Sequence, residues 1–392
     1  MFVFLAGNSR LYKKIIALAV AALASSAAFA QTNVTIYGVA DMFVMHASGS
    51  GVKGTNAVES GGLAGSRLGF KGSEDLGNGL KAIFTLEYAL NMDNNNGVGA
   101  VDTPWSGTAA RQQFVGLSSD KAGTVVAGRL QTAGYDFACA YNPLAGGAFA
   151  TNDKLKGSSL VNCGSSGRAD NAIAYISPTF GGVSVALNHA RLTENANNQT
   201  VPTGYAAGDM LKKDNVAYLG SVNYKLGDLS ASAIYTRITG ANTVQNDAIR
   251  EWGLGASYDF KVVKLFAMYE NTKSQNGTPS NTGLADKKWQ VGASVPVTAN
   301  GTVAASYAHL KQASTTADDN TKAFGLAYIH ALSKRTKLYA GYNRVDNDGV
   351  GQRSVTNITT STALGTNAND NFVVPTAGGN ASLWGVGVNH AF

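Results

Sequence analysis

The sequence is poor in charged residues, in proline and in long apolar runs. Charged residues make up 14% of its 392 residues and hydrophobic residues 44%, and there are 7 prolines against 46 glycines. Beyond residue 30 no run of 18 or more apolar residues occurs, so the sequence predicts no transmembrane helix. The composition fits a protein that crosses a membrane with strands, apolar outside and polar inside, but also a secreted soluble β-protein. No linker or charge run divides the chain, which favours one large domain.

The first thirty residues have the features of an export signal. Three cations between residues 10 and 14 precede an apolar run over 15–24, and a small-x-small pattern follows at 28–30. We predict that residues 1–30 are a cleaved signal peptide and that residues 31–392 form the mature domain. Without those three cations the chain has 28 basic and 25 acidic residues, a formal charge of +3. That charge is too small to indicate a nucleic-acid partner.

Alternating apolar and polar residues recur along the mature chain in short segments. In 250–259, for example, Trp252, Leu254 and Tyr258 alternate with small or polar residues, as the two-residue period of a strand requires. Sixteen such segments of about nine to twelve residues occur, near the length with which a tilted strand crosses a bilayer. They are 34–46, 66–74, 80–90, 110–118, 124–131, 168–177, 183–190, 215–224, 229–237, 250–259, 262–271, 287–297, 301–310, 321–330, 336–345 and 383–392.

The connections between these segments alternate between tight turns and long polar loops, as in barrels with periplasmic turns and external loops. The last segment ends on Phe392, and its open edge would invite aggregation, so we expect it to pair with 34–44. We therefore predict an all-β fold, a 16-stranded antiparallel transmembrane β-barrel. Tyr and Trp near segment ends should form two interfacial girdles. A soluble β-sandwich or propeller is the alternative, although such folds lack the short and long alternation.

Four sequence blocks stand in order along the mature chain, at 34–41 (VTIYGVAD), 66–77 (SRLGFKGSEDLG), 114–117 (FVGL) and the closing strand to Phe392. Together they resemble the trimeric general diffusion porins of Gram-negative outer membranes, most closely those of β-proteobacteria. The resemblance implies a homotrimer of barrels, each with a long third loop folded into its lumen. It also implies contact with outer-membrane lipids and lipopolysaccharide, and a terminal Phe392 that the barrel-assembly machinery reads.

The resemblance further implies a pore narrowed by basic side chains that face the third loop, here about 132–167. The matching basic positions are Arg67, Arg111 and Arg168, with Lys71, Lys81 and Arg129 as further candidates. Strict alternation places Asp170 on the same face as Arg168. The alternative is that these cations are solvated residues at the rim, outside the constriction.

The third loop carries only two acids, Asp136 and Asp153, while Tyr141 lies where related loops approach the narrowest point. Several cations facing few anions favour the passage of anions, because charges in a low-dielectric passage are poorly screened. Cys139 and Cys163, the only cysteines, also lie in this loop, and an exported pair is expected to form a disulfide. Two free thiols or a metal pair remain alternatives.

The sequence shows no nucleophile elbow, no zinc-binding His-Glu-x-x-His and no phosphate-binding glycine loop. Its five histidines lie far apart, near the ends of predicted strands, which favours interfacial positions over a metal or catalytic site. We therefore predict no enzyme activity, no cofactor and no metal, but a water-filled channel for passive diffusion of ions and small hydrophilic solutes with a moderate anion preference. The alternative is a substrate-specific channel with a saturable site, built around Phe266 and the loop aromatics Tyr135, Phe137, Tyr141 and Phe149.

Overall fold

A computed structural model describes residues 33–93, 98, 110–155, 160–192, 216–239, 248–274, 285–312, 320–355 and 373–392. These residues form seventeen strands, one α-helix and two short 3-10 helices. The strands are β1 (Asn33–Gly49), β2 (Val52–Ser60), β3 (Arg67–Gly77), β4 (Leu80–Ala89), β5 (Ala110–Ser119), β6 (Gly123–Gln131), β7 (Arg168–Ile176), β8 (Val183–Arg191), β9 (Val216–Leu226), β10 (Leu229–Thr239), β11 (Ala248–Asp259), β12 (Lys264–Ser274), β13 (Ala285–Pro296), β14 (Gly301–Lys311), β15 (Thr321–Ala331), β16 (Thr336–Asn347) and β17 (Asn380–Ala391). The helix α1 is Ala133–Ala140, and the 3-10 helices are Asn152–Leu155 and Ser165–Gly167.

The strands close into a barrel in which every pairing is antiparallel. From β3 onward each strand pairs with the next one along the chain, and β17 also pairs with β1, from Val39↔Ala391 to Gly49↔Ala381. On its other edge β1 pairs with β2 over residues 42–49 and with β3 over residues 33–39. Since β2 and β3 lie end to end beside β1, the seventeen strands fill sixteen positions, and the predicted 16-stranded barrel is confirmed.

The region after β1 differs from the sequence prediction, which treated it as a Gly/Ser-rich loop. It contains β2, which folds back onto β1 through a tight turn at Ser50 and Gly51, where Gly51 has a φ of +73°. Glycine tolerates this left-handed conformation and so permits the hairpin. The small and polar residues of 52–60 hid the strand because they show little apolar alternation.

Alternation gives the barrel two unlike faces. In β11, Trp252, Leu254 and Tyr258 are exposed, whereas Gly253 and Gly255 between them are buried. The exposed set forms the apolar outer face and the buried set forms the inner wall. Outer-face rings pair near strand ends, as Trp252 with Tyr269 at 5.4 Å between centroids, which agrees with interfacial girdles.

The seam between the first and last strands is held by a buried carboxylate on β1. Asp41 is fully buried, and its Oδ2 accepts hydrogen bonds from the backbone N–H groups of Leu63 (3.1 Å) and Ala64 (2.9 Å) and from Asn389 Nδ2 (2.7 Å). Its Oδ1 accepts from the Tyr339 hydroxyl. One side chain thus connects β1, β16, β17 and the segment between β2 and β3.

Phe392 completes the ladder beyond β17. Its N–H donates to Gly38 O and its carbonyl accepts from Gly38 N–H, both at 3.1 Å. The Phe392 ring lies over Gly38 on the outer face, where a β-carbon on Gly38 would come within 2.3 Å of the ring. The expected pairing of the first and last strands is therefore confirmed.

The connections at one end of the barrel are short, as between β9 and β10 or β11 and β12, while those at the other end are longer except for the turn at Ser50 and Gly51. Among the described residues no helix is long and apolar enough to cross a membrane. The predicted signal peptide, residues 1–30, lies outside the described residues.

Candidate functional site

The connection between β6 and β7 is the part of the chain that shapes the interior of the barrel. It begins with α1, whose first turn is capped because Thr132 Oγ1 accepts a hydrogen bond from Tyr135 N–H at 3.2 Å. The helix is also tied to the inner face of β8, since Ala133 N–H donates to Asn188 Oδ1 at 2.8 Å. The connection therefore starts against the barrel wall rather than in solvent.

Glycines on the inner wall allow the β6–β7 connection to pack directly against the barrel. Tyr141 packs on Gly255 so closely that a β-carbon there would lie 2.2 Å from the ring, and its hydroxyl bonds Ser232 at 2.6 Å. Phe149 packs in the same way on Gly341, at 2.7 Å from the position of a β-carbon. Gly255 of β11 and Gly341 of β16 thus give the connection room to approach the wall.

Polar contacts fix the connection between these two rings. Gln290 Nε2 donates to Tyr141 O at 3.1 Å, and Thr151 Oγ1 donates to Gln290 Oε1 at 2.8 Å. Asn343 Nδ2 donates to Phe149 O at 3.1 Å. The side chains of Gln290, Thr151 and Asn343 are almost fully buried, so each bond satisfies a polar group that has lost water.

Two of the loop residues predicted at the constriction lie against the wall instead. Tyr141 is 1% exposed and Asp153 is 5% exposed. Asp153 acts electrostatically on Glu270, which is paired with Lys288 at 2.6 Å, and all three groups are buried. Neither residue presents its side chain to the open interior, which corrects the expectation that both line the pore.

Asp136 is the loop acid that does face the interior. Its side chain is exposed, although desolvation by the surrounding protein raises the pKa of its carboxyl to about 6. Because the group keeps contact with water and pH 7 exceeds this pKa, it counts as a negative charge at neutral pH.

Cys139 and Cys163 are joined as a disulfide, with 5.0 Å between their Cα atoms. The bond connects the end of α1 to the segment that leads into β7, 24 residues further along the chain. A closed loop of this size stabilises the folded chain by about 3–4 kcal/mol in the chain-entropy treatment. The disulfide therefore stabilises the same β6–β7 connection that packs on the glycines of the inner wall.

Opposite this connection the structure brings Arg67, Arg111 and Arg168 together. The positive charge of Arg111 repels those of Arg67 and Arg168, and all three guanidinium groups are attracted to the carboxylate of Glu87. Glu87 is 5% exposed and pairs with Arg111, Nε to Oε1, at 2.7 Å. The guanidinium of Arg168 lies over the Tyr135 ring of α1, 4.6 Å from its centroid. Three cations and one partly neutralising carboxylate thus share one section of the wall.

Backbone irregularities decide how two of these side chains are aimed. On β5 the register shifts so that Glu87 pairs with Gln112 and Tyr88 with Ala110, which leaves Arg111 in a bulge. The bulge lets Arg111 reach Glu87 although simple alternation would put it on the outer face. Arg168 follows a 3-10 turn directly and is held by the Gly164 carbonyl at 3.4 Å.

Lys71 and Lys81 both lie on the inner face of the barrel but at different depths. Lys71 lies on the inner face with its Nζ 5.1 Å from the centroid of Tyr37, four residues from Arg67. Lys81 shares the inner face of β4 with Glu87, but six residues place it about 20 Å away along the strand, beside a tight turn. Lys71 therefore belongs to the basic section and Lys81 to the barrel's short-turn end.

Arg129 is on the outer face, which corrects its assignment to the basic wall. It shares a face with Val125, 44% exposed, and lies opposite Val126 and Leu130, which are buried. It pairs with Asp170 at 2.6 Å, so Asp170 faces outward as well. A bulge at Asn171, with a φ of +47°, reverses the direction of Asp170 relative to the inner-face residues Ala172 and Ala174, with which simple alternation had grouped it.

Sequence reasoning missed the polar groups that organise the arginines. The sequence alone assigns no partner to Glu87, whereas in the structure its carboxylate accepts from both Arg111 and the Tyr37 hydroxyl, the latter at 3.0 Å. Its spacing from Lys81 and Thr85 by even numbers was a signal that it faces inward. Tyr135 had been considered as a solute contact but serves as the platform for Arg168.

A closed β-barrel that is apolar outside and holds a folded connection against a basic inner wall defines a channel-forming protein of the outer membrane. Comparison with known families identifies the family of channel-forming proteins to which the chain belongs. Residues 17–350 match the Gram-negative porin family, and the chain belongs to this family. Membership indicates a channel rather than an enzyme and places the protein in the outer membrane.

Named relatives agree with this assignment. The chain is 29% identical to an outer membrane porin protein of Bordetella pertussis, over 84% of this chain and 92% of the relative. It is 33% identical to outer membrane porin protein 32 of Delftia acidovorans, over 83% of this chain and 87% of the relative. Among solved structures, an anion-selective porin from Comamonas acidovorans superposes with a TM-score of 0.71 at 27% identity, covering 92% of this chain and 100% of that one.

Proposed function

We propose that the barrel is a passive diffusion channel with a moderate preference for anions, narrowed where the arginine section faces α1. The observation that carries this proposal is the charge balance of that section. Arg67, Arg111, Arg168 and Lys71 supply four positive charges, against the carboxylates of Glu87 and Asp136. The positive surplus lowers the energy of an anion in the passage and raises that of a cation.

The preference is moderate for two physical reasons. Glu87 neutralises part of the field of Arg111 at 2.7 Å, so the section acts with less than its full basic charge. Salt screens the remainder, because the Debye length of about 10 Å at 0.1 M is comparable to the width of such a passage. The solved anion-selective porin to which this chain is similar supports the same sign of preference.

The rest of the biological setting is part of the proposal. We infer a homotrimer in contact with outer-membrane lipids and lipopolysaccharide, as the family resemblance implies. Residues 1–30 act as a cleaved export signal, and residues 31–392 form the mature barrel. Phe392, whose backbone closes the ladder onto Gly38, is the residue that the barrel-assembly machinery reads.

The test is the reversal potential of channels in a planar bilayer under a potassium chloride gradient. The double variant Arg67→Ser/Arg168→Ser removes two inner cations and should move the reversal potential towards potassium. The matched control is Arg129→Ser, which removes an outer-face cation and should leave it unchanged. Arg111 is kept, because its loss would leave the buried Glu87 carboxylate without a partner. An unchanged ion preference in the double variant would contradict the proposal.

Most of the aromatic side chains considered for a saturable solute site are buried and therefore inaccessible to a solute. Phe137, Tyr141 and Phe149 are 1–2% exposed and anchor the connection to the wall, so they cannot form a track for solutes. Phe266 remains on the inner face, but Lys264 covers it with its Nζ 5.0 Å from the ring centroid. A conductance that saturates as solute rises would favour the alternative despite this arrangement.

A further inference from the structure

Arg168 is held in the basic section by weaker contacts than Arg111. The guanidinium of Arg111 pairs with the Glu87 carboxylate, Nε to Oε1, at 2.7 Å. Arg168 instead donates from Nη1 to the Gly164 carbonyl over 3.4 Å and stacks on the Tyr135 ring at 4.6 Å. Within the described part of the chain its Nε has no hydrogen-bond partner. The position of this guanidinium therefore depends on where Tyr135 and Gly164 are held.

These two supports belong to separate pieces of backbone, and the disulfide joins them. Tyr135 lies on α1, whereas Gly164 lies in the segment that leads into β7. Cys139 follows Tyr135 by four residues, which places both on one side of the helix. Cys163 directly precedes Gly164, and the two cysteine Cα atoms are 5.0 Å apart. The bond thus connects the two supports of Arg168 close to its side chain.

The hydrogen bonds between the same two pieces of backbone lie at the start of α1. Thr132 donates to the Gly167 carbonyl from its N–H at 3.1 Å and from its Oγ1 at 2.8 Å. The Gly164 N–H bonds Asn162 Oδ1 at 2.6 Å, within its own segment. An eight-residue helix is also too short to hold its shape without tertiary contacts. The disulfide is therefore the link that fixes the last turn of α1 relative to Gly164.

We propose that the Cys139–Cys163 disulfide positions the Arg168 guanidinium and thereby contributes to the ion preference of the channel. While the bond is intact, Tyr135 and Gly164 stay at a fixed separation and hold the guanidinium beside the passage. When the bond is absent, the two supports separate and the guanidinium moves away from the ion path. This inference rests on the proposed function, in which the arginine section selects ions, and it assigns the disulfide a role beyond stability of the connection.

The expected effect is a fraction of the effect of Arg168 itself. Removal of a charge about 7 Å from the ion path, at a Debye length of about 10 Å in 0.1 M salt, lowers the chloride-to-potassium permeability ratio about 2.7-fold. Retreat of the same charge from about 7 Å to about 10 Å lowers the ratio about 1.6-fold. Loss of the bond should therefore reduce the anion preference without abolishing it.

The test is a double-mutant cycle read as reversal potentials in planar bilayers near 0.1 M potassium chloride. Cys139→Ser/Cys163→Ser should lower the permeability ratio about 1.6-fold in the wild-type background, and should have no effect when Arg168→Ser is also present. The matched control is Thr151→Val, which removes hydrogen bonds from the same connection to β13 and β14 but keeps the disulfide and both supports of Arg168. Its permeability ratio should equal that of the wild type.

Reduction of the folded wild type tests the same bond without requiring the cysteine variant to assemble. Dithiothreitol opens the bond to two thiols and is itself oxidised to its cyclic disulfide. Protein is treated until two alkylated thiols are counted by mass in a quenched sample, and is then inserted into the bilayer. Its permeability ratio should fall by the same factor as in the double variant, and reoxidation before insertion should restore the wild-type ratio.

The outcomes separate this inference from the proposed function. If Arg168→Ser lowers the permeability ratio but loss of the disulfide does not, the inference is wrong and the proposed function stands. An equal fall in both backgrounds of the cycle, or a fall in Thr151→Val, also overturns the inference, because the bond would then act through the general shape of the connection. If Arg168→Ser has no effect, the proposed role of the arginine section is contradicted and the inference fails with it.

Discussion

Replacing Glu87 with glutamine should make the channel more selective for anions. The carboxylate is the acid in direct contact with the arginine section, since its Oε1 lies 2.7 Å from Arg111 Nε and its Oε2 accepts from Tyr37. Glutamine keeps the length of the side chain and an acceptor oxygen, so the barrel should fold. Arg111 is then no longer neutralised, and the surplus of positive charge rises by one.

The size of the change follows from the distance and the screening. For a charge about 7 Å from the ion path and a Debye length of about 10 Å at 0.1 M salt, the interaction is about 0.3 kcal/mol. The term has opposite signs for chloride and potassium, so the permeability ratio should rise about 2.7-fold. At 1 M, where the Debye length is about 3 Å, the rise should shrink to about 1.2-fold.

The assay is the reversal potential of Glu87→Gln and wild-type channels under the same salt ratio at low and high concentration. Glu74→Gln is the matched control, because it removes the same charge from the outer face. Glu74 lies four residues beyond Phe70, whose partner Leu86 is 38% exposed on that face. A shift towards potassium in Glu87→Gln, or an equal shift in Glu74→Gln, would refute the reasoning.

Three other predictions concern folding and assembly. Deletion of Phe392 removes both backbone bonds to Gly38 and should reduce assembly of heat-modifiable trimers in the outer membrane, whereas normal levels would contradict its role. Non-reducing mass spectrometry should find the peptides of Cys139 and Cys163 linked, and two alkylatable thiols in fresh protein would count against the bond. Asp41→Ala leaves four donors at the seam without their acceptor and should lower stability in urea by at least about 1–3 kcal/mol, while an unchanged midpoint would show the seam does not depend on it.

Alternation was sufficient to predict most of the barrel from the sequence. Strands such as β11 and β17 place one residue in two against lipid, so their apolar period is visible without any tertiary information. The short strand β2 was missed because its side chains are mostly small or polar on both faces. Its position is set by pairing with β1, which no local pattern reports.

The candidate site was predicted less completely because its geometry depends on breaks in alternation. Arg67 and Lys71 obey the two-residue period and were placed correctly on the inner face. Arg111 reaches the interior only through a bulge, and the bulge at Asn171 sends Asp170 outward to Arg129. A one-residue insertion reverses every side chain that follows, and sequence alone seldom reveals it.

The burial of the connection was likewise invisible in the sequence. Tyr141 and Asp153 are ordinary residues for an exposed polar loop, and only the contacts with Gly255 and the Glu270–Lys288 pair show that they face the wall. The alternate glycines of β11 carried a weak signal, since a barrel wall without side chains leaves room for a second layer of chain.

The reversal potential of wild-type channels in a planar bilayer, under a tenfold gradient of potassium chloride near 0.1 M, tests the charge balance of the narrow section most directly. Four inner cations against the carboxylates of Glu87 and Asp136 predict a reversal potential that is shifted from zero towards the equilibrium potential of chloride. This shift should become smaller as the mean salt concentration rises. A potential on the potassium side, or a chloride preference that does not change with salt, would contradict the proposal that these residues form the selective passage.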